Sequence, residues 1–228
     1  MLAVVSMLWS NPRYRYGSIY GPDHVNVLHS MVDRYLTIPH KHVCICDNPT
    51  GVNKNITVRP IFRDFIHFGG TWTKLMLFSS HLQSILEADR FLYLDLDSVI
   101  CGSFDELIES EETAFLQFRH TPERGKCSTC LIKMKCGAYP EVWDKFVENP
   151  LKVIIKTGKL QLIGWDQAWV SLMVPEMNLW GPQQGILKYG LDVKNFLPDG
   201  TRMVRFSGPY DPSKLKEKHA WIKEHWRC

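Results

Sequence analysis

The stretch Arg90-Phe-Leu-Tyr-Leu-Asp95-Leu-Asp97-Ser-Val-Ile-Cys101 constrains this chain more than any other. An apolar, strand-forming run ends in two carboxylates separated by one residue. Side chains at i and i+2 of a strand share a face, so Asp95 and Asp97 are expected to face one cleft while Leu96 faces the core. Two anionic oxygen ligands suit a hard cation such as Mg²⁺ or Mn²⁺, and such a cation commonly carries a diphosphate. A buried strand that delivers polar groups at its carboxyl end belongs to the α/β sheets, which bind ligands just outside those ends.

The rest of the chain alternates strand and helix signals in the way a doubly wound α/β layer requires. Leu2–Leu8 reads as the first strand. Asp23 is placed to cap a helix carrying Val25, Leu28, Val32 and Tyr35 at helical spacing. Strands are expected over His42–Cys46 and Ile56–Val58, and a turn at Asp47-Asn-Pro-Thr-Gly51. A helix is expected from Trp72 to Leu86, then the strand Phe91–Leu94. Ser103 and Glu106 form a capping-box pattern for a short helix. Further strands are expected at Thr113–Phe118, Cys130–Met134 and Met203–Phe206. Helices should start near Pro140, near Asp166, and at Pro212-Ser213, the last continuing through Trp226. After Asn149-Pro150 the periodicity weakens, and residues 175–198 read as loop. The expected architecture is therefore one α/β domain over residues 1–228, Rossmann-like, with a central, mostly parallel sheet flanked by helices.

Composition narrows the partners. Hydrophobic residues make up 45% and charged residues 22%, as in ordinary globular domains. No apolar run approaches the roughly 20 residues of a membrane span. The apolar start lacks a basic leader and reads as a strand, not a signal peptide. The net charge of +3 is too small to imply nucleic acid. From Thr201 onward, however, seven Lys/Arg stand against three Asp/Glu, a local surplus that suits a solvated helix face better than a functional patch. Seven cysteines without framework spacing point to a reduced, cytoplasmic chain. Cys127-Ser-Thr-Cys130 is a lone pair at metal or redox spacing, and zinc would want a second pair or histidines.

Four segments, in order, carry a resemblance. The Asp95-Leu-Asp97 stretch resembles the diphosphate-metal signature of nucleotide-sugar glycosyltransferases with the GT-A fold, and most of all family 8, the glycogenin and galactosyltransferase-like group. Trp72-Thr-Lys74-Leu-Met-Leu-Phe78 looks like that family's Lys-Leu helix. Gly164-Trp-Asp166-Gln167 is similar to its Asp-Gln motif, and Val204-Arg-Phe-Ser-Gly208 with Pro212 to its C-terminal segment. The resemblance implies a GT-A-like domain that moves glucose or galactose from a nucleotide-sugar, UDP-linked, to an acceptor hydroxyl with retention. It implies that Asp95 and Asp97 hold Mn²⁺ or Mg²⁺, that Asp95 also touches the donor, and that Lys74 reaches the sugar or the first carboxylate. Asp166 and Gln167 would lie by the anomeric carbon as the catalytic pair, while Asp166 also serves as a helix cap. Ser6 and Trp9, where the first strand ends, and Tyr14 and Tyr20, as stacking partners for the base, would complete the donor site.

Two departures stand out. The family's histidine ligand falls on Arg205, which cannot bind a cation but can pair with diphosphate oxygens. The family's late lysine falls on Asp211, so Lys214, Lys216 or Arg205 would supply its charge and Asp211 is free to join the metal shell. The acceptor-side sequence Lys126-Cys-Ser-Thr is unlike glycogenin. The acceptor is expected to be a glycan or protein hydroxyl, or a hydroxymethylated DNA base. Two other readings are a sugar-binding module without turnover and a nucleotidyltransferase; the latter wants a glycine-rich loop that Ser10-Asn-Pro-Arg-Tyr-Arg lacks.

Overall fold

In the computed structural model, seven strands make the main sheet, and the first runs through its middle. The structure describes residues 1–10, 20–62, 70–117, 127–159, 166–174 and 176–228. Strand β1 (Leu2–Leu8) is buried throughout, as a strand covered on both faces must be. It is parallel to β2 (His40–Cys46) on one side and to β4 (Arg90–Leu94) on the other. The short β3 (Thr57–Pro60) extends the parallel edge beside β2. Beyond β4 lie the antiparallel β7 (Cys127–Lys135), then β6 (Ala114–Gln117) and β8 (Asn178–Trp180). The fold is α/β with a mostly parallel sheet, as the alternation implies.

The period-2 pattern of β4 sorts its side chains between two cores. Leu92 and Leu94 pack with β1 residues Leu2 and Val4 beneath helix α1 (Pro22–Tyr35). Phe91 and Tyr93 pack on the opposite face with Ala3, Val5, Leu75, Phe78 and helix α4 (Glu141–Glu148). A second, three-stranded sheet joins β5 (Ser98–Ile100), β10 (Met203–Arg205) and β9 (Ile186–Lys188). Gly185 leads into β9 at φ 72°, and a Cβ there would strike the carbonyl of Gly200, so only glycine fits this corner.

Several local expectations change. Gly21 takes the N-cap position of α1 and Pro22 the first turn, so Asp23 adds charge to that turn instead of capping it. The expected helix from Trp72 to Leu86 is split. Residues Trp72–Phe78 wind as a 3-10 helix, Ser79 is extended, and only α2 (Leu82–Leu86) is α-helical. Every residue of Trp72–Phe78 is buried; the segment is enclosed on all sides, and Trp72 stacks on Phe146 at 5.5 Å. The helix α3 (Asp105–Glu109) forms, but Glu106 pairs with Arg202 instead of closing a capping box. Helix α5 (Pro150–Lys159) occupies the stretch where periodicity fades, and α6 (Asp166–Met173) lies where expected. The last helix is interrupted, giving α7 (Pro212–Leu215) and α8 (Ala220–His225). Among the described residues no helix is long and apolar enough to cross a membrane.

Candidate active site

Strand β4 stops at Leu94, so Asp95 and Asp97 do not lie in a strand as the i, i+2 argument assumes. They flank a turn in which the Ser98 amide donates to the Asp95 carbonyl at 3.2 Å. The chain turns here because it must leave the large sheet and enter β5. The Asp95 amide still donates to the Cys130 carbonyl of β7 at 2.9 Å, whereas the Asp97 carbonyl accepts from the Phe206 amide just after β10 at 3.2 Å. Asp95 is thus tied to one sheet and Asp97 to the other. Leu96 between them is buried, as expected.

Around Asp95 the large sheet builds a closed polar network. The Lys74 ammonium and the Tyr93 hydroxyl both donate to Asp95 Oδ1, each at 2.5 Å. Burial alone would lower the Lys74 pKa, but the charges of Asp95 and Asp166 outweigh it and hold the ammonium firmly protonated. Asp166, at the first turn of α6, accepts from Thr71 on one carboxylate oxygen and from Thr129 on the other, the latter at 2.5 Å. Its carboxyl is pushed up by burial, against the pull of Lys74 and the two threonines. Thr129 gets there through an irregularity in β7. Phe115 of β6 pairs with Ile132, but the next residue, Leu116, pairs with Ser128. The residues bulged out between them include Thr129 and Cys130. The sequence reading missed Thr71, Thr129 and Tyr93. The only signal for Thr129 was its place in the family's acceptor-side segment. Gln167 follows Asp166, and its buried Oε1 has no hydrogen-bond partner among the described residues.

The small-sheet side is less satisfied. The Tyr20 hydroxyl donates to Asp97 Oδ2 at 2.9 Å, a contact other than the base stacking expected of it. Burial and the Asp95 charge push the Asp97 carboxyl up to about 7. Burial, Asp97, Asp95 and Asp211 all push the Tyr20 hydroxyl up, which places Asp211 in the same field. Asp211 is the N-cap of α7. Its Oδ1 accepts from the Ser213 amide at 2.9 Å and hydroxyl at 2.6 Å, with His24 Nε2 at 3.4 Å. Burial opposes the charge on Asp211, but these partners outweigh it and hold its carboxyl below the usual range. Its buried Oδ2 accepts no hydrogen bond among the described residues; Lys214, which is 73% exposed, approaches only to 3.7 Å. Arg205 is buried, its charge is felt at Cys130, and its Nη2 has no partner among the described residues.

Other expected residues lie differently. Ser6 is wholly buried, and its hydroxyl engages His29 Nε2 at 3.0 Å beneath α1. Trp9 packs partly buried against the core on the α4 side. Tyr14 lies outside the described residues, as do Gly164 and Trp165 of the Asp-Gln motif. Burial pushes both Cys127 and Cys130 up to about 12, so both stay thiols at neutral pH, and all seven cysteines are free.

Asp95, Asp97 and Asp211 offer oxygen donors only, the kind that a hard cation such as Mn²⁺ or Mg²⁺ takes. Burial, and after it the Asp95 charge, keeps Asp97 from ionising easily, and Asp211 has a buried oxygen with no hydrogen-bond partner among the described residues.

No protein-family model matches the sequence, and no curated protein matches it. Solved structures do. The crystal structure of the galactosyltransferase LgtC in complex with donor and acceptor sugar analogs superposes with a TM-score of 0.60 at 11% identity, over 99% of this chain and 97% of that one. An active-site mutant of LgtC, a glutamine changed to glutamate, gives 0.60 at 10% identity over 92% and 89%. The glycosyltransferase GlyE of Streptococcus pneumoniae gives 0.62 at 13% identity over 98% of this chain but 60% of its own length. This chain therefore has the GT-A glycosyltransferase fold that the four sequence segments implied.

Proposed function

We propose that residues 1–228 form one glycosyltransferase domain that uses Mn²⁺ or Mg²⁺ to move glucose or galactose from a UDP-sugar to an acceptor hydroxyl with retention. The observation that carries this reading is the pairing of two half-sites across the Asp95–Asp97 turn. One is a closed Lys74–Asp95 and Asp166 network, and the other holds unsatisfied groups on Asp211 and Arg205. The likeness to LgtC, which was crystallised with donor and acceptor sugar analogs, supports it.

Each residue then has a task. Asp95 and Asp97 would hold the cation, with Asp211 as the further oxygen that replaces the family's histidine. Bound there, the cation supplies Lewis-acid stabilisation of the departing diphosphate. Arg205 pairs with diphosphate oxygens through its unpartnered nitrogen, a charge role also open to Lys214 at the rim. Lys74 stays an ammonium, fixes the Asp95 rotamer and reaches toward the sugar. Gln167 offers its carboxamide to a sugar hydroxyl. Ser6, with its hydroxyl held by His29, would support the end of the first strand beside the donor, and Trp9 and Tyr14 border the base. Both Asp166 oxygens are occupied by threonines, and the residue is 1% exposed. That favours a positioning role over a covalent nucleophile, and with it a front-face displacement in which a leaving diphosphate oxygen takes the acceptor proton. Asp166→Asn is then expected to keep measurable turnover, and its complete loss would favour the covalent route.

The acceptor is a glycan or protein hydroxyl, in a reducing, cytoplasmic setting that suits the free cysteines. Thermal-shift screening of UDP-, GDP- and CDP-sugars with Mn²⁺, followed by hydrolysis assays, tests the whole reading. Stabilisation by a UDP-sugar with slow metal-dependent hydrolysis is expected. Binding without turnover would make the chain a sugar-binding module. Salt-sensitive binding to duplex DNA would move the acceptor to a modified base.

A further inference from the structure

Away from the donor site, α1 and β2 gather three more ligand atoms. His40 and His42 lie two residues apart on β2 and share the face that α1 covers. Asp33, in the last turn of α1, sets its Oδ1 2.6 Å from His42 Nε2 and 3.8 Å from His40 Nε2. Among the described residues this is the one group of three such side chains whose ligand atoms all lie within 4.8 Å of one another. It is removed from the Asp95 turn. His42 pairs with Val4 of β1, and Val4 with Leu92 of β4, three residues before Asp95; that is about 10 Å along a strand.

The remaining ring nitrogens are already engaged as a metal site requires. His40 Nδ1 lies 2.7 Å from the Ile38 carbonyl and donates to it, so in the neutral ring Nε2 carries the lone pair and faces the Asp33 carboxylate at 3.8 Å. A lone pair turned on a carboxylate takes a cation between them, either the ring's own second proton or a metal ion that also reaches His42. His42 Nδ1 lies 2.8 Å from His29 Nδ1, so its outward nitrogen is likewise backed by an inner partner. Metal-binding histidines characteristically use their second nitrogen this way. Both imidazoles are nearly buried, while Asp33 is 53% exposed, so the side open to solvent is the carboxylate side. Tetrahedral zinc with ligands at about 2.0–2.2 Å keeps them roughly 3.3 Å apart, between the two distances seen here.

We propose that Asp33, His40 and His42 form a site for one zinc-class divalent cation, with a fourth position left to water, which pins the end of α1 to the start of β2. Two imidazoles and one carboxylate favour Zn²⁺ over Mg²⁺. Binding also sets a direction along a hydrogen-bonded chain. Without metal, Ser6 donates to His29, His29 to His42, and His42 to Asp33. With metal on His42 Nε2, each proton shifts one place and none is lost: His42 donates to His29, and His29 to Ser6, whose own hydroxyl hydrogen is released to point elsewhere.

Calorimetric titration of ZnCl₂ into the full chain, with excess Mg²⁺ to occupy the all-oxygen site, tests this. One zinc per chain is expected, with affinity at least tenfold weaker in Asp33→Asn and in His40→Ala. Asp33 is exposed enough that Asp33→Asn should fold even if His40→Ala does not. Cobalt(II) should give visible absorption bands that Asp33→Asn removes. Absence of zinc uptake by the unaltered chain, uptake unchanged in Asp33→Asn, or uptake lost in Asp95→Ala instead would each overturn the proposal.

Discussion

Asp95 and Asp97 stand two residues apart and yet belong to different environments. Asp95 hangs from the large sheet, and its charge is met by Lys74 and Tyr93. Asp97 hangs from the small sheet, buried, with the Tyr20 phenol donating to it and a carboxyl pushed up to about 7. In the first half the Asp95 and Asp166 carboxylates are met by hydrogen bonds, and the group left over beside them is the buried Gln167 Oε1. The second holds more negative charge than it can accommodate, together with an arginine nitrogen that has nothing to bind among the described residues. The difference teaches how labour divides in this cleft: the large sheet provides fixed geometry, and the small sheet provides an electrostatic vacancy that a cation and a diphosphate would fill.

The sharpest way to break this division is to remove Asp97. Asp97→Ala should lower Mn²⁺-dependent UDP-sugar hydrolysis by about 10²–10³, the range seen when one transition-state stabilising group is lost. The fold should hold, because a repelled carboxylate is being removed. If Asp95→Ala abolishes hydrolysis and Asp97→Ala leaves it untouched, the small-sheet half is not the metal half.

Lys74→Met attacks the other side. Breaking a buried pair by removing one partner costs about 3 kcal/mol or more, since a poorly solvated carboxylate is left behind. For a chain of this size that means a melting temperature lower by roughly 6–12 °C. The double change Lys74→Met with Asp95→Asn should recover most of it. A Lys74→Met protein that melts like the parent would show that the large-sheet network is not holding the fold.

How much of this was legible beforehand follows the same division. β1, β4 and the place of Asp95 could be read from sequence, because a buried parallel sheet writes long apolar runs and Asp95 stands where one ends, whereas Lys74 and Asp166 were singled out only by the resemblance to family 8. The small sheet was readable only at β10, which forms within the strand expected over Met203–Phe206. Its other two strands, Ser98–Ile100 and Ile186–Lys188, are three residues each, too short for a period-2 pattern, and the second lies in the stretch that reads as loop. The split of the expected Trp72–Leu86 helix was hidden for the opposite reason: a segment buried on every side shows no polar face to reveal its winding. Ser6 stands at a strand end, as expected, but its hydroxyl turns toward His29 beneath α1, a direction that a strand position alone does not set.

Arg205 tests whether the vacancy is filled by phosphate. Arg205→Ala should weaken UDP binding by about 2 kcal/mol, near thirtyfold, as expected for hydrogen bonds to a charged group. Arg205→Lys should recover only part of the loss, since a point charge cannot reproduce the guanidinium fork. Equal weakening of uridine binding would mean that Arg205 reads the nucleoside, and the small sheet would then be a base platform and not a phosphate platform.

The smallest effect is the most specific to Asp97. In an unfolded chain its carboxyl would titrate near about 3.9, whereas in the fold burial and Asp95 push it up to about 7. Between these values the folded chain carries a proton that the unfolded chain lacks. By linkage, the contribution to stability is full below the unfolded value and is lost as pH rises through about 7. Urea melts of the metal-free protein should therefore weaken from about pH 4 to pH 7 and level off above that, and Asp97→Asn should flatten that slope. Mn²⁺ competes with the same proton, so its affinity should move the other way: up to tenfold tighter per pH unit below about 7, then level. The two trends cross-check each other, because a carboxyl that loses its proton at a cost to the fold is one that a cation should stabilise. Mn²⁺ affinity constant across that range would mean that Asp97 is already ionised, and the contrast with Asp95 would shrink to hydrogen bonding alone.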